Sequence, residues 1–158
     1  MLFRYVLPHV PEPLPVLREA LRVLRPGGRA YVIDVDSGLW GLAQSSDPRL
    51  TAVHTRAAAG QHLAGGDRLI GRKLSALLRR AGFAEVAVRP FAVTSDDRPL
   101  PDFAPHLGPG RLAPLVEQGV LSLADLALAT SAWARFGADP DAWVMLLGLI
   151  GTGQAPGG

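Results

Sequence analysis

The sequence predicts an α/β fold in which a parallel pair of strands is covered by helices. Three observations carry this. Leu14, Leu17, Leu21 and Leu24 recur at intervals of three and four, the rhythm of an amphipathic helix, with Arg18, Glu19, Arg22 and Arg25 between them for the wet face. Pro26-Gly27-Gly28 then stops that helix, because proline cannot continue it and glycine accepts the left-handed conformation of a C-cap. Arg29 to Asp36 follows as a β-branched strand through Tyr31, Val32, Ile33 and Val35, apolar on both faces as strands covered by helices on both sides are. Ahead of the helix, Leu2 to Leu7 is a short apolar run ending at Pro8, so the segment reads as a β-α-β unit.

The remaining elements follow in order. His9 to Pro13 is a proline-punctuated loop into the helix, and Ser37 to Ser46 is a glycine-containing loop after the second strand. Asp47-Pro48 starts a helix, with aspartate as N-cap and proline in the first turn, and Arg49 to Ala64 continues it as far as Gly65-Gly66. Asp67 caps the next helix, whose apolar stripe is Ile70, Leu74, Leu77, Leu78 and Ala81 and which Gly82 ends. Its Arg68, Arg72, Lys73, Arg79 and Arg80 read as a solvated face. Phe83 to Thr94 is a strand in which Pro90 marks a sheet edge or a bulge. Asp96 to Gly110 is a loop with one short helical piece, and Leu112 to Gln118 is a short helix. Ser122 opens a capping pattern for a helix over Leu123 to Phe136, Ala138 to Asp141 breaks it, and Trp143 to Ile150 is a last strand. Residues 1–150 are read as one partial domain and 151–158 as a mobile tail.

Composition narrows the function classes. The 158 residues include no cysteine, which excludes disulfides, thiolate metal sites and cysteine nucleophiles. Fifteen of the sixteen basic residues are arginine, scattered among fourteen acidic ones for a net charge of +2, whereas nucleic-acid binders concentrate charge on one face. Neither a signal peptide nor an apolar run long enough to span a bilayer is present, so the expectation is a cytoplasmic chain with no nucleic-acid or membrane partner. His54 and His62 share a helix face, but with no matching carboxylates they do not make a metal site. Gly151, Gly153 and Gly157 follow an apolar strand but lack the helix that a dinucleotide motif needs after it.

The stretch FRYVLPHVPEPLPVLREALRVLRPGGRAYVIDVD resembles the middle of a class I S-adenosylmethionine-dependent methyltransferase, of the small-molecule type related to quinone-biosynthesis enzymes. GDRLIGRKLSALLRRAGFAEVAVRPF extends the likeness over roughly the first hundred residues, through the family's helix-A-G-F-strand segment. The resemblance implies a Rossmann-like sheet of seven strands in the order three-two-one-four-five-seven-six. This chain would supply the C-terminal half, strands four to seven with the last one antiparallel, and flanking helices. The glycine-rich cofactor loop and the ribose-binding acid of the family would lie upstream of Met1.

By the same resemblance, the end of strand four at Phe3, Arg4 and Tyr5 offers a backbone carbonyl to the amino group of S-adenosylmethionine. His9 stands where the family often places a side chain near the acceptor. Histidine titrates near neutrality and suits a base, and a capping or packing role is the equal alternative. Asp34 and Asp36 point to one face of their strand near its carboxyl end, where α/β sheets bind ligands. They contact the acceptor or serve as base, or else cap the loop. Leu39 and Trp40 line a substrate pocket or cap the core, and the helix from Arg49 is a candidate lid. The expected activity is methyl transfer to a small-molecule acceptor. The alternative is a non-catalytic remnant or interaction module that binds no cofactor. The first strand, at 2–7, would present an unpaired apolar edge and invite self-association or a second chain.

Overall fold

The computed structural model describes residues 1–36, 41–43, 47–63 and 65–157. The elements are β1 (Leu2–Arg4), α1 (Pro13–Val23), β2 (Arg29–Val35), β3 (Gly41–Ala43), α2 (Pro48–Leu63), α3 (Leu74–Ala81), β4 (Ala84–Thr94), α4 (Ala104–Leu107), α5 (Ala113–Glu117), α6 (Leu123–Ala138) and β5 (Trp143–Gln154). Short 3-10 turns stand at Leu7–His9, Ile70–Lys73, Leu100–Phe103 and Pro109–Leu112. The chain divides into two compact units, one of Met1–Leu39, Gly65–Ala92 and Leu147–Gly158, the other of Trp40–Ala64 and Val93–Leu146.

The first unit holds the β-α-β segment. β1 lies parallel to β2, with Phe3 opposite Val32, and β2 lies antiparallel to β5, with Ile33 opposite Ile150. β4 pairs with β5 on the far side, which makes the order β1-β2-β5-β4. The Thr152 hydroxyl donates to the Ala87 carbonyl and the Ser95 amide to the Val144 carbonyl, so β4 runs antiparallel to β5. If β1 and β2 are the fourth and fifth strands of the implied sheet, this is its four-five-seven-six order, with the last strand inserted antiparallel. Pro90 is tolerated because β4 has β5 as its one strand neighbour among the described residues. The core is Leu7, Leu17, Val32, Ile70, Leu74 and Leu78 with smaller residues between them.

Several boundaries move for identifiable reasons. The 2–7 strand is ladder only over Leu2–Arg4, because Tyr5 takes φ of 54° and turns the chain out of the pairing. α1 stops at Val23 with Leu24 extended, before the helix-disfavouring position ahead of Pro26 is reached. The third predicted helix begins only at Leu74, after a 3-10 turn, and ends as expected on Gly82 at φ of 103°. The last strand does not stop at Ile150 before a mobile tail. It continues to Gln154, with Gly153 opposite Ala30 and Gln154 opposite Arg29, and Ala155 is buried beyond it. Small residues make this extension possible. A Cβ on Gly153 would stand 2.7 Å from the Cβ of Phe83, and one on Gly151 would stand 3.0 Å from Leu78. These glycines are packing positions of a strand, in keeping with the rejection of a dinucleotide loop.

The second unit is mainly helical. Leu50, Val53 and Ala57 of α2 pack with Leu112, Leu115, Leu121, Ala129 and Ala132, and Phe103, Phe136 and Val144 form a smaller cluster. Ser122 and Asp125 complete a reciprocal capping box at the start of α6, as the sequence pattern predicts. Asp47 caps α2 by accepting from the Arg49 amide at 3.0 Å. The region read as a loop over 37–46 contains β3, which pairs antiparallel with β5, Leu42 opposite Val144. That pairing is made by backbone groups, which a side-chain pattern does not announce.

Candidate functional site

The carboxyl ends of β1 and β2 in the first unit gather the polar residues of interest. Tyr5 leaves the ladder after donating its amide to the Ile33 carbonyl at 2.9 Å, and the Arg4 guanidinium lies 5.4 Å from the Tyr5 ring centroid. The chain then tightens into the Leu7–His9 turn, closed by the Val10 amide on the Leu7 carbonyl at 3.2 Å. Leu7 and Pro8 are buried there, and His9 is exposed.

Asp34 and Asp36 share the inward face of β2 with Ala30 and Val32, and both are buried. Their circumstances differ. Asp36 is held by Arg72, whose guanidinium forks onto both carboxylate oxygens, with Nη2 2.7 Å from Oδ1. That ion pair raises the Arg72 pKa above its ordinary value. Asp34 is 0% exposed, and neither of its oxygens has a hydrogen-bond partner among the described residues. Loss of solvation pushes its carboxyl up to about 7, offset in part by the nearby Leu7 amide, which stands outside hydrogen-bonding geometry. A buried carboxyl with no partner is costly to keep ionised, and groups of this kind concentrate at functional sites.

The segment at 65–73 closes the site. The Asp67 amide donates to the Pro8 carbonyl at 2.9 Å, and the Asp67 carboxylate takes the Leu69 amide at 2.9 Å and the Lys73 ammonium at 2.6 Å. Gly71 lets this turn reach β2, because a Cβ there would stand 2.9 Å from the Val35 carbonyl oxygen and 2.8 Å from Leu149. Burial lowers the Arg68 pKa. Arg68 is half-buried and so departs from the solvated face expected of it, whereas Arg72 is exposed as expected and also pairs with Asp36. The signal available in the sequence was Asp36 itself, since an acid on the inward face of a strand calls for a cation.

Of the expected site residues, Phe3, Arg4, Tyr5, His9, Asp34 and Asp36 all lie at or near this end of the two strands, and Trp40 lies outside the described residues. In the second unit, Asp47, Leu50, His54, Leu107, Trp133 and Phe136 are among the residues around a cavity of about 20 Å³, room for one water. Asp47 is lowered to about 2, chiefly by its hydrogen bonds from Arg49. Among the described residues no group of three or more potential ligands is placed to hold a metal, and no helix is long and apolar enough to cross a membrane.

A parallel strand pair, an antiparallel strand inserted beside it and an acidic strand end define a mixed α/β sheet domain. The family model described as "Methyltransferase domain" matches residues 1–32, the span of β1, α1 and most of β2, and supports a methyltransferase domain. An uncharacterized 37.1 kDa protein in transposon TN4556 of Streptomyces fradiae is 39% identical over 87 residues, which is 54% of this chain and 24% of that protein. Among solved structures, Haemonchus contortus phosphoethanolamine N-methyltransferase 2 in complex with S-adenosyl-L-methionine is 16% identical over 98% of this chain and 32% of its own, with a TM-score of 0.45. A methyltransferase described as putative, from Bacillus halodurans C-125, is 14% identical over 98% and 68% of the two chains, with a TM-score of 0.47. The cyclase SpnF is 26% identical over 99% and 50%, with a TM-score of 0.49. The chain therefore spans about a quarter of the curated relative and a third to two thirds of these solved structures.

Proposed function

We propose that the chain is the C-terminal half of an S-adenosylmethionine-dependent methyltransferase domain acting on a small-molecule acceptor. The observation that carries this is Asp34: an unpartnered, fully buried carboxyl near the carboxyl end of a strand paired in parallel with β1, and α/β sheets bind ligands at that end of their strands. The residues present fit part of a cofactor and acceptor site. Phe3, Arg4 and Tyr5 would hold the cofactor's amino group through a backbone carbonyl where Tyr5 turns out of the ladder. The cofactor supplies an electrophilic methyl on sulfur.

Methyl transfer is an in-line displacement, so the protein's work is positioning and, for an acceptor that carries a proton, removal of that proton. Asp34 suits proton removal, because its pKa of about 7 matches a base that works near neutrality. His9, exposed two residues after Leu7, is the second candidate base. Asp36 is committed to Arg72, which fits a role in orienting the strand end. Titration calorimetry of the 158-residue chain with S-adenosylmethionine and S-adenosylhomocysteine tests this reading. Micromolar binding is the expected result, and a folded sample that gives no heat overturns it.

The alternative is an interaction module without cofactor, for which the apolar groove of about 450 Å³ lined by Met1, Phe3, Val16 and Val23, beside a β1 whose one strand neighbour among the described residues is β2, would be the docking face.

A further inference from the structure

We infer that residues 65–73 form a strap over Asp34 that is closed while the Asp34 carboxyl is protonated and opens when it ionises. A carboxyl that is 0% exposed meets no substrate, so the base role given to Asp34 needs such an opening. The opening itself does not need methyl transfer, and its test is independent of cofactor binding.

The strap lies on the part of β2 that carries Asp34. Asp34 stands opposite Leu149 across the ladder to β5. Gly71 rests at the same place, since a Cβ on it would stand 2.8 Å from Leu149 Cδ1 and 2.9 Å from the Val35 carbonyl oxygen. The strap is also bonded to what flanks Asp34. Arg72 forks onto Asp36, two positions along the same face of the strand. The Asp67 amide donates to the carbonyl of Pro8, the residue after Leu7, whose amide stands near Asp34. These polar contacts and the buried Ile70 side chain fasten the strap, and it takes no part in the strand ladders. Gly65, at φ of 83°, and Gly66 precede it and give it a hinge. Segments so lightly fastened open at a lower free energy than the core does.

The charged groups of the surrounding elements leave the closed carboxylate without support. Asp36 is paired with Arg72, and Asp67 with Lys73. Arg68 of the strap is half-buried, but no hydrogen bond joins it to Asp34. β5 carries no ionisable residue, while Arg4 of β1, His9, the charged residues of α1 and Arg79 and Arg80 of α3 are exposed. Ionised Asp34 under the strap therefore lacks both water and a bonded cation, and opening supplies the water. Ionisation and opening favour each other. The carboxyl titrates at about 7 when covered and near its ordinary 3.8 when hydrated, so the open fraction grows as pH rises between these values and levels off above them. From about pH 5 to about pH 8 the opening equilibrium grows on the order of a hundredfold.

Native-state hydrogen exchange of the 158-residue chain tests this. The Asp67 amide, bonded to the Pro8 carbonyl at 2.9 Å, reports the strap, and the Phe83 amide, bonded to the Leu78 carbonyl at 3.1 Å, reports unfolding of the core around α3. Protection at Asp67, corrected for the intrinsic exchange rate at each pH, is expected to fall on the order of a hundredfold from about pH 5 to about pH 8. Sub-denaturing urea should leave that fall unchanged, because a local opening exposes little surface, and Phe83 should stay the better protected of the two amides. In Asp34→Asn the fall should vanish. Equal protection of Asp67 at the two pH values overturns the proposal. So does a fall that persists in Asp34→Asn, or one that grows with urea as that of Phe83 does, which would be unfolding of the whole unit.

Discussion

Replacing Asp34 by asparagine asks directly whether the buried carboxyl opposes folding. The carboxyl is held at about 7 against an ordinary 3.8. The native state therefore binds this proton more tightly than the unfolded chain does. Stability falls as pH rises from the ordinary carboxylate range through about 7 and levels off above it. A shift of about three units at about 1.4 kcal/mol each makes the ionised form roughly 4 kcal/mol unfavourable. Asparagine is neutral throughout, but its buried amide also lacks partners, at a cost of about 1–3 kcal/mol. Asp34→Asn should thus be more stable than the natural chain by about 1–3 kcal/mol at about pH 8, and no more stable at about pH 4. For a chain of this length the gain is a rise in Tm on the order of 5 °C. Urea unfolding of both proteins at the two pH values measures it. A difference that does not change with pH would refute the reasoning, because a neutral or partnered Asp34 has no such linkage.

Two further substitutions probe the frame around the site. Arg72→Leu removes the guanidinium from the buried Asp36 carboxylate and should cost about 1–3 kcal/mol in urea unfolding, below the value for a fully buried pair because the Arg72 side chain is 53% exposed; an unchanged midpoint would show that the pair contributes nothing. Gly153→Ala forces a Cβ to within 2.7 Å of the Phe83 Cβ and should cost about 1–3 kcal/mol through overpacking, whereas a neutral or stabilising change in thermal unfolding would mean that 151–154 is not held in the sheet.

Much of both units was legible where the signals are local. Leu14, Leu17 and Leu21 recur at helical spacing, Gly27 and Gly82 sit at left-handed positions of 74° and 103°, and Ser122 and Asp125 are three residues apart in a capping box. The alternation that placed Asp34 and Asp36 on one face of β2 needed only the two-residue period of a strand. The misread parts depend on distant partners. β3 exists through backbone pairing with β5, a hundred residues later. The tail from 151 reads as mobile because it is a glycine-containing terminus with no local element after it; beside Leu74, Leu78 and Phe83, Gly151 and Gly153 are the residues that fit.

The sequence by itself determined the α/β class, the two parallel strands with their connecting helix, and the resemblance of that segment to methyltransferases. These follow from periodicity, turn chemistry and motif, which are properties of neighbouring residues. Only the tertiary structure decided the fates of the two aspartates. Asp36 meets an arginine thirty-six positions away and is neutralised, while Asp34 is buried near the Leu7 amide and has no hydrogen-bond partner among the described residues. Charge in a low-dielectric interior is governed by what stands within a few ångströms, and chain folding, rather than chain order, sets that distance.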